Sequence, residues 1–320
     1  MASRPHSPDP ADILRPMSAE PGRPWNEKHA VFIVSAGRTG TQFLAKALPQ
    51  MIDDCAAFHE PDTLWLDRPF EYFTKVYWAQ VRRHGLYHMT FGQTHATATH
   101  LATARYKGRI DDAQATAWFD RLRGRFVGKV PESIFVESNG LLWGVIDLIL
   151  ERMPNSKVVM VVRDPRAWIR SAVLASHFRA FKPPDYDFLG FSPRPYHRSP
   201  ADHTPAAWRT MSLPDKYAWL YGMLNSSLLA TLANNDRAVI LRYEDLFEGG
   251  EQRPTFERLL NFSSSFGDGF SRPTTLRHDL VDRPMDSTRE GDDGDAAAWT
   301  PDEELLQRHC GEIMERFGYR

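Results

Sequence analysis

Cysteine is almost missing. Cys55 and Cys310 are the only two in 320 residues. They lie far apart and neither has a nearby partner, which excludes a disulfide framework or a cysteine zinc site and fits a reducing compartment, the cytoplasm. Long hydrophobic runs are missing too. No stretch approaches the ~18 apolar residues of a membrane-spanning helix, and the start, MASRPHSPDPADILRPMSAEPGRPW, has no apolar segment of a secretion signal. A soluble protein without integral membrane association is expected. Neither sign of charge prevails: 39 Lys and Arg face 41 Asp and Glu, a formal net charge of −2. Without a global basic field, no nucleic-acid partner is indicated, and any anion binding has to be local. There is also no internal repeat.

What is present alternates between two patterns. After a leader, residues 1–28, with six prolines and the composition of a disordered segment, residues 29–320 read as one domain. Ala30–Ser35 (AVFIVS) is a continuous apolar run rich in β-branched residues, the signature of a strand buried on both faces of a parallel sheet. Ser133–Glu137, Val158–Val162 and Ala238–Leu241 repeat it, and a further short strand can end within DCAAFHEPD. Between them come helical patterns, one after the first strand, then Gly140–Arg152, Pro165–Ser176 and Asp215–Ala233. The alternation predicts an α/β fold of three layers, α/β/α, with a central parallel sheet of about four to five strands and right-handed crossovers. Two stretches interrupt it: a helical, aromatic-rich insertion at 65–128 and a proline-rich loop at 178–214, of the kind that forms lids and binding loops. The acidic run Glu290–Asp295 reads as a solvated turn.

The first chemistry-bearing motif is VSAGRTGTQFL, residues 34–44. A glycine-rich turn between a buried strand and a helix points several backbone N–H groups at one place, a geometry that binds phosphate or sulfate. Compared with the nucleotide loop G-x-x-x-x-G-K-[ST], Ser35 replaces the first glycine, Thr41 stands for the lysine and Gln42 for the Mg²⁺-binding hydroxyl. Mg²⁺-ATP is disfavoured, and Arg38 inside the turn can supply the missing cation. The second motif is VVMVVRDPRAWIRSAV, residues 158–173. Arg163 ends a strand, Asp164 can cap the next helix, Pro165 begins it, and Ser171 follows Arg163 by eight residues. An arginine and a hydroxyl converging there describe a second, separate phosphate pocket.

Together these motifs resemble those of the sulfotransferase family that uses 3′-phosphoadenosine 5′-phosphosulfate (PAPS). The bacterial and carbohydrate-type members are more similar than the phenol- and steroid-type cytosolic ones, whose Lys-Thr-His trio has no counterpart at Glu137-Ser138-Asn139. The resemblance extends to His59-Glu60-Pro61, Arg242-Tyr243-Glu244-Asp245-Leu246 and Phe317-Gly318-Tyr319. It implies a P-loop NTPase-like scaffold and PAPS as donor cosubstrate, without a metal. Gly37, Arg38, Thr39, Gly40, Thr41 and Gln42 would then hold the 5′-phosphosulfate, and Arg163 and Ser171 the 3′-phosphate. Arg38 would take up charge on the leaving group. Glu60 is the implied base for an acceptor hydroxyl, or less readily amine, of a small molecule, lipid or carbohydrate; His59 and Glu137 remain alternatives. Arg283 or Arg289-Glu290-Gly291 is the nearest match to the segment that closes over the 3′-phosphate. His84, His88, His95 and His100 form no ligand pattern and read as a polar helix face. A noncatalytic binder of the same nucleotide and a divergent P-loop nucleotide kinase are the competing readings.

Overall fold

The structure, a computed structural model, describes residues 24–60, 98–128, 130–177, 193–198, 204–282 and 302–319. Five strands form one sheet: β1 His29–Val34, β2 Cys55–His59, β3 Ile134–Ser138, β4 Ser156–Val162 and β5 Ala238–Arg242. Every pairing is parallel and the order is β2-β3-β1-β4-β5. The central strands are buried along nearly their whole length, as their unbroken apolar runs require of a sheet covered on both sides.

Period-two alternation divides the core between two layers. Phe32, Val34, Phe135, Met160 and Val162 face one hydrophobic cluster, whereas Val31, Ile33, Val136, Val159 and Val161 face the other. The first is covered by α3 (Asp112–Val127), α4 (Ile146–Arg152), α5 (Pro165–His177), α7 (Leu213–Leu232) and α11 (Glu303–Phe317), with α2 (Ala98–Tyr106) beside them. The second is covered by α1 (Thr41–Ala47), α8 (Tyr243–Phe247), α9 (Gln252–Ser264) and α10 (His278–Val281). A short helix, α6 (Pro205–Thr210), precedes α7.

The expected elements are present with shifted ends. The helix expected over 140–152 is broken into a 3₁₀ turn, Gly140–Leu142, and α4. Two glycines explain the break. A Cβ on Gly140 would sit 3.2 Å from the Gly37 nitrogen, and one on Gly144 would sit 2.8 Å from the Ala102 Cβ. The chain is pressed against neighbours there that an ordinary helix would strike. The long helix α7 begins at Leu213, ahead of the expected Asp215, because Ser212 caps it by accepting from the Asp215 N–H at 3.2 Å. Within the insertion, α3 starts on a reciprocal cap between Asp111 and Gln114. Residues 61–97, most of the leader, most of the 178–214 loop, the acidic run, Arg283 and Arg289-Glu290-Gly291 lie outside the described residues.

Both cysteines belong to the core, and burial pushes each thiol up to about 12. In the folded protein, neither thiol is expected to react with iodoacetamide at pH 8, whereas both should be labelled in denaturant; intact mass spectrometry checks this.

Candidate functional site

The strand order creates a crevice. After β1 the chain turns toward β2 on one side of the sheet, and after β4 toward β5 on the other, so the carboxyl ends of these adjacent strands lie where the direction of the winding reverses. Both motifs found in the sequence open at this point.

The loop after β1 is held in an unusual backbone shape. Gly37, Arg38 and Gly40 have φ of 83°, 55° and 75°. For Arg38 the left-handed conformation costs on the order of 1 kcal/mol, so its surroundings have to impose it. Ser35, which in the sequence looked only like a lost glycine, is the internal staple: its Oγ accepts from the Gly37 N–H at 3.0 Å and from the Thr39 hydroxyl at 2.7 Å. The Gly37 carbonyl accepts from the Trp168 indole N–H at 2.7 Å, and the Arg38 carbonyl from the Arg163 Nη1 at 3.0 Å. Across the strand gap the Arg38 Nε donates to the Ser171 Oγ at 3.1 Å. With its carbonyls drawn away to these donors, the loop leaves the backbone N–H groups of Thr39, Gly40 and Thr41 without an acceptor among the described residues. Gln42 is exposed on α1.

Arg163, Ser171 and Arg38 therefore make one continuous site and not two separate pockets. The reason is the register: Val34 lies beside Met160, so the two loops emerge side by side. Arg163 itself stacks over the Tyr243 ring at 4.1 Å, and its carbonyl accepts from the Tyr221 hydroxyl. Its buried Nε has no hydrogen-bond partner among the described residues, and its Nη2 makes only a long ion pair, 4.0 Å, with the half-exposed Glu248. Burial and then the adjacent Arg163 charge pull the Arg38 guanidinium below its ordinary value, yet an arginine stays charged. Two neighbouring cations with open donors form a local field suited to a multiply charged anion. Asp164 caps α5, its Oδ1 accepting from the Arg166 N–H at 2.7 Å.

The other expected residues line the same edge at a distance in the sheet. His59 ends β2 opposite Ser138, and its Nδ1–H donates to the Ser138 carbonyl at 3.1 Å. That bond fixes the tautomer with Nε2 as an acceptor. Burial, aided by the Lys46 charge, lowers the His59 pKa against this hydrogen bond. Glu60 has φ of 42°, a left-handed turn that diverts its side chain from the strand's alternation, and its N–H donates to the same Ser138 carbonyl at 3.1 Å. Glu137 is fully buried between Arg123, whose Nη1 is 2.9 Å from Oε2, and Asn139, whose Nδ2 donates to Oε1 at 2.9 Å. Among the described residues no group of three or more His, Cys, Asp or Glu side chains could hold a metal, and no helix is long and apolar enough to cross a membrane.

A profile of the sulfotransferase family matches residues 30–264. The chain belongs to the sulfotransferase family. No curated protein matches the sequence. Among solved structures, it is similar to the sulfotransferase domain from the curacin biosynthetic pathway, at 14% identity and a TM-score of 0.44 over 91% of this chain and 97% of that one. It is also similar to the sulfotransferase STF1 from Mycobacterium tuberculosis H37Rv, at 14% identity and a TM-score of 0.49 over 91% and 76% of the two chains. A sulfotransferase from Alicyclobacillus acidocaldarius matches at 13% identity, with a TM-score of 0.39 and coverage of 93% and 97%.

Sequence reasoning passed over two residues that brace these loops in this sulfotransferase-family chain. Trp168 sits inside the second motif but reads as helix core, and Tyr221 reads as one of many apolar positions on α7. Both are fully buried, and only their polar ends reach the loops. A buried Trp or Tyr needs a partner for its N–H or O–H. That requirement was the one available signal, and it names no partner.

Proposed function

We propose that the protein transfers a sulfuryl group from PAPS to a hydroxyl group of a small molecule, lipid or carbohydrate. The single observation carrying this reading is the pair of neighbouring arginines at the crevice, Arg38 and Arg163, beside a loop whose Thr39, Gly40 and Thr41 N–H groups have no acceptor among the described residues. Family membership supplies the sulfuryl chemistry.

Thr39, Gly40 and Thr41, with Gly37 shaping the turn, hold the 5′ end through backbone donors. Arg163 holds the 3′-phosphate with its guanidinium, helped by Ser171. Arg38 stabilises the negative charge that grows on the phosphate oxygen as its bond to sulfur breaks and the acceptor oxygen bonds to sulfur. It acts by charge and hydrogen bonding and donates no proton. The acceptor's proton passes to Glu60 or to the Nε2 of His59. Glu137 is unsuited to that step, since its charge already balances Arg123 in the interior.

Calorimetry with adenosine 3′,5′-bisphosphate and, separately, with ATP and Mg²⁺ tests the nucleotide. Metal-dependent ATP binding without bisphosphate binding would overturn the proposal in favour of a kinase. Transfer of ³⁵S from PAPS to a pooled acceptor library tests the chemistry, and bisphosphate binding without labelled product would leave a binding protein.

A further inference from the structure

The turn that presents Arg163 is held from the far end of the chain. α11 stops at Gly318, whose φ of 68° gives the left-handed cap that reverses the chain. Tyr319 then folds back into the interior. Its hydroxyl donates to the Glu244 Oε2 at 2.9 Å and lies 3.4 Å from the Val162 carbonyl oxygen. The other Glu244 oxygen, Oε1, accepts the Asp164 N–H at 2.8 Å. The residues gripped, Val162 and Asp164, are the two that flank Arg163.

This arrangement does two things at once. It holds the backbone on both sides of the arginine, which sets the direction in which the guanidinium leaves the turn and lies across Tyr243. It also occupies both oxygens of Glu244, the acid adjacent in sequence to that ring, and among the described residues Glu244 makes no ion pair with Arg163, whose guanidinium lies across Tyr243 instead. Arg242 balances the Glu244 charge, with its Nε 3.8 Å from Oε2 and its guanidinium 4.8 Å over the Tyr319 ring. Burial and then the Glu244 charge keep the Tyr319 hydroxyl protonated, and so a donor, well beyond the ordinary range of a phenol.

We propose that Glu244 and Tyr319 are positioning residues for anion recognition by Arg163, the pair acting on the 3′-phosphate without touching it. The inference rests on the reading of Arg163 given under Proposed function. The experiment is calorimetry on the full chain and on Tyr319→Phe, Glu244→Gln, Arg163→Ala and the Arg163→Ala/Glu244→Gln double variant. The probes are adenosine 3′,5′-bisphosphate and adenosine 5′-monophosphate.

Tyr319→Phe removes a single oxygen and should weaken bisphosphate binding about threefold to tenfold; Glu244→Gln should weaken it by roughly 10- to 30-fold. Monophosphate binding should stay within about twofold in both. In the double variant, Glu244→Gln should add no further loss to that of Arg163→Ala, because the residue it positions is gone. Equal losses for the two probes, no loss for either, or losses that add in the double variant would overturn the inference and leave a purely structural contact. A wild-type protein that does not prefer the bisphosphate would instead overturn the reading of Arg163, and the inference with it.

Discussion

Arg163→Ala is expected to weaken binding of adenosine 3′,5′-bisphosphate by about 1.5–3 kcal/mol, or ~10- to 150-fold in Kd, the size of a lost charge-assisted hydrogen bond. The geometry makes the site sensitive to this one side chain. Tyr243 lies under the guanidinium and Tyr221 fixes the residue's carbonyl, so the arginine is oriented before any ligand arrives and little ordering is left to pay for on binding. Its Nε is buried and has no hydrogen-bond partner among the described residues, so the guanidinium is not saturated by internal contacts. The substitution has a second consequence, because Nη1 also braces the Arg38 carbonyl. Adenosine 5′-monophosphate separates the two effects. A loss confined to the bisphosphate reports the 3′-phosphate contact, whereas equal losses report a loosened loop. Unchanged affinity for both would mean that the pocket has been misassigned.

Glu60→Gln is expected to leave that binding nearly intact and to slow sulfuryl transfer by ~10²-fold or more, because the amide cannot accept the acceptor's proton. His59→Gln is the paired measurement. Full activity of Glu60→Gln together with collapse of His59→Gln would move the base to the histidine. The pH profile gives an independent check with a definite sign. A histidine base works only when neutral, and burial lowers the His59 pKa. The acid limb of kcat/KM would then fall below pH ~6.5, the ordinary histidine value, with activity lost as pH drops through the lowered pKa. The left-handed turn at Glu60 is what makes this comparison necessary. On a regular strand His59 and Glu60 would face opposite sides of the sheet, but a φ of 42° at Glu60 breaks the alternation.

Strand ends are legible in a sequence as apolar runs meeting glycine, proline or charge, and they drew attention to Arg38 and Arg163; Ser171 lies within α5 and was picked out by its spacing from Arg163. Ser35 was visible only as a departure from a consensus, and its task as acceptor for Gly37 and Thr39 follows from a loop conformation that no pattern encodes. Glu137 was read as an open alternative for the base. Its pairing with Arg123, 14 residues earlier on α3, depends on how the insertion packs against β3.

By itself, the sequence determined the layers: continuous β-branched runs can be satisfied only by a sheet covered on both faces, and the helices between them force parallel strands. It also determined that any anion binding has to be local, because the net charge leaves no wider field. The tertiary structure decided that the two motifs form one site, because strand order is set by packing between segments far apart in the chain. Val34 and Met160 become neighbours only when β4 takes its place beside β1. It decided likewise that Tyr319, at the end of the chain, steadies Arg163, near its middle: a hydrogen bond requires contact in space, and separation along the sequence says nothing of that.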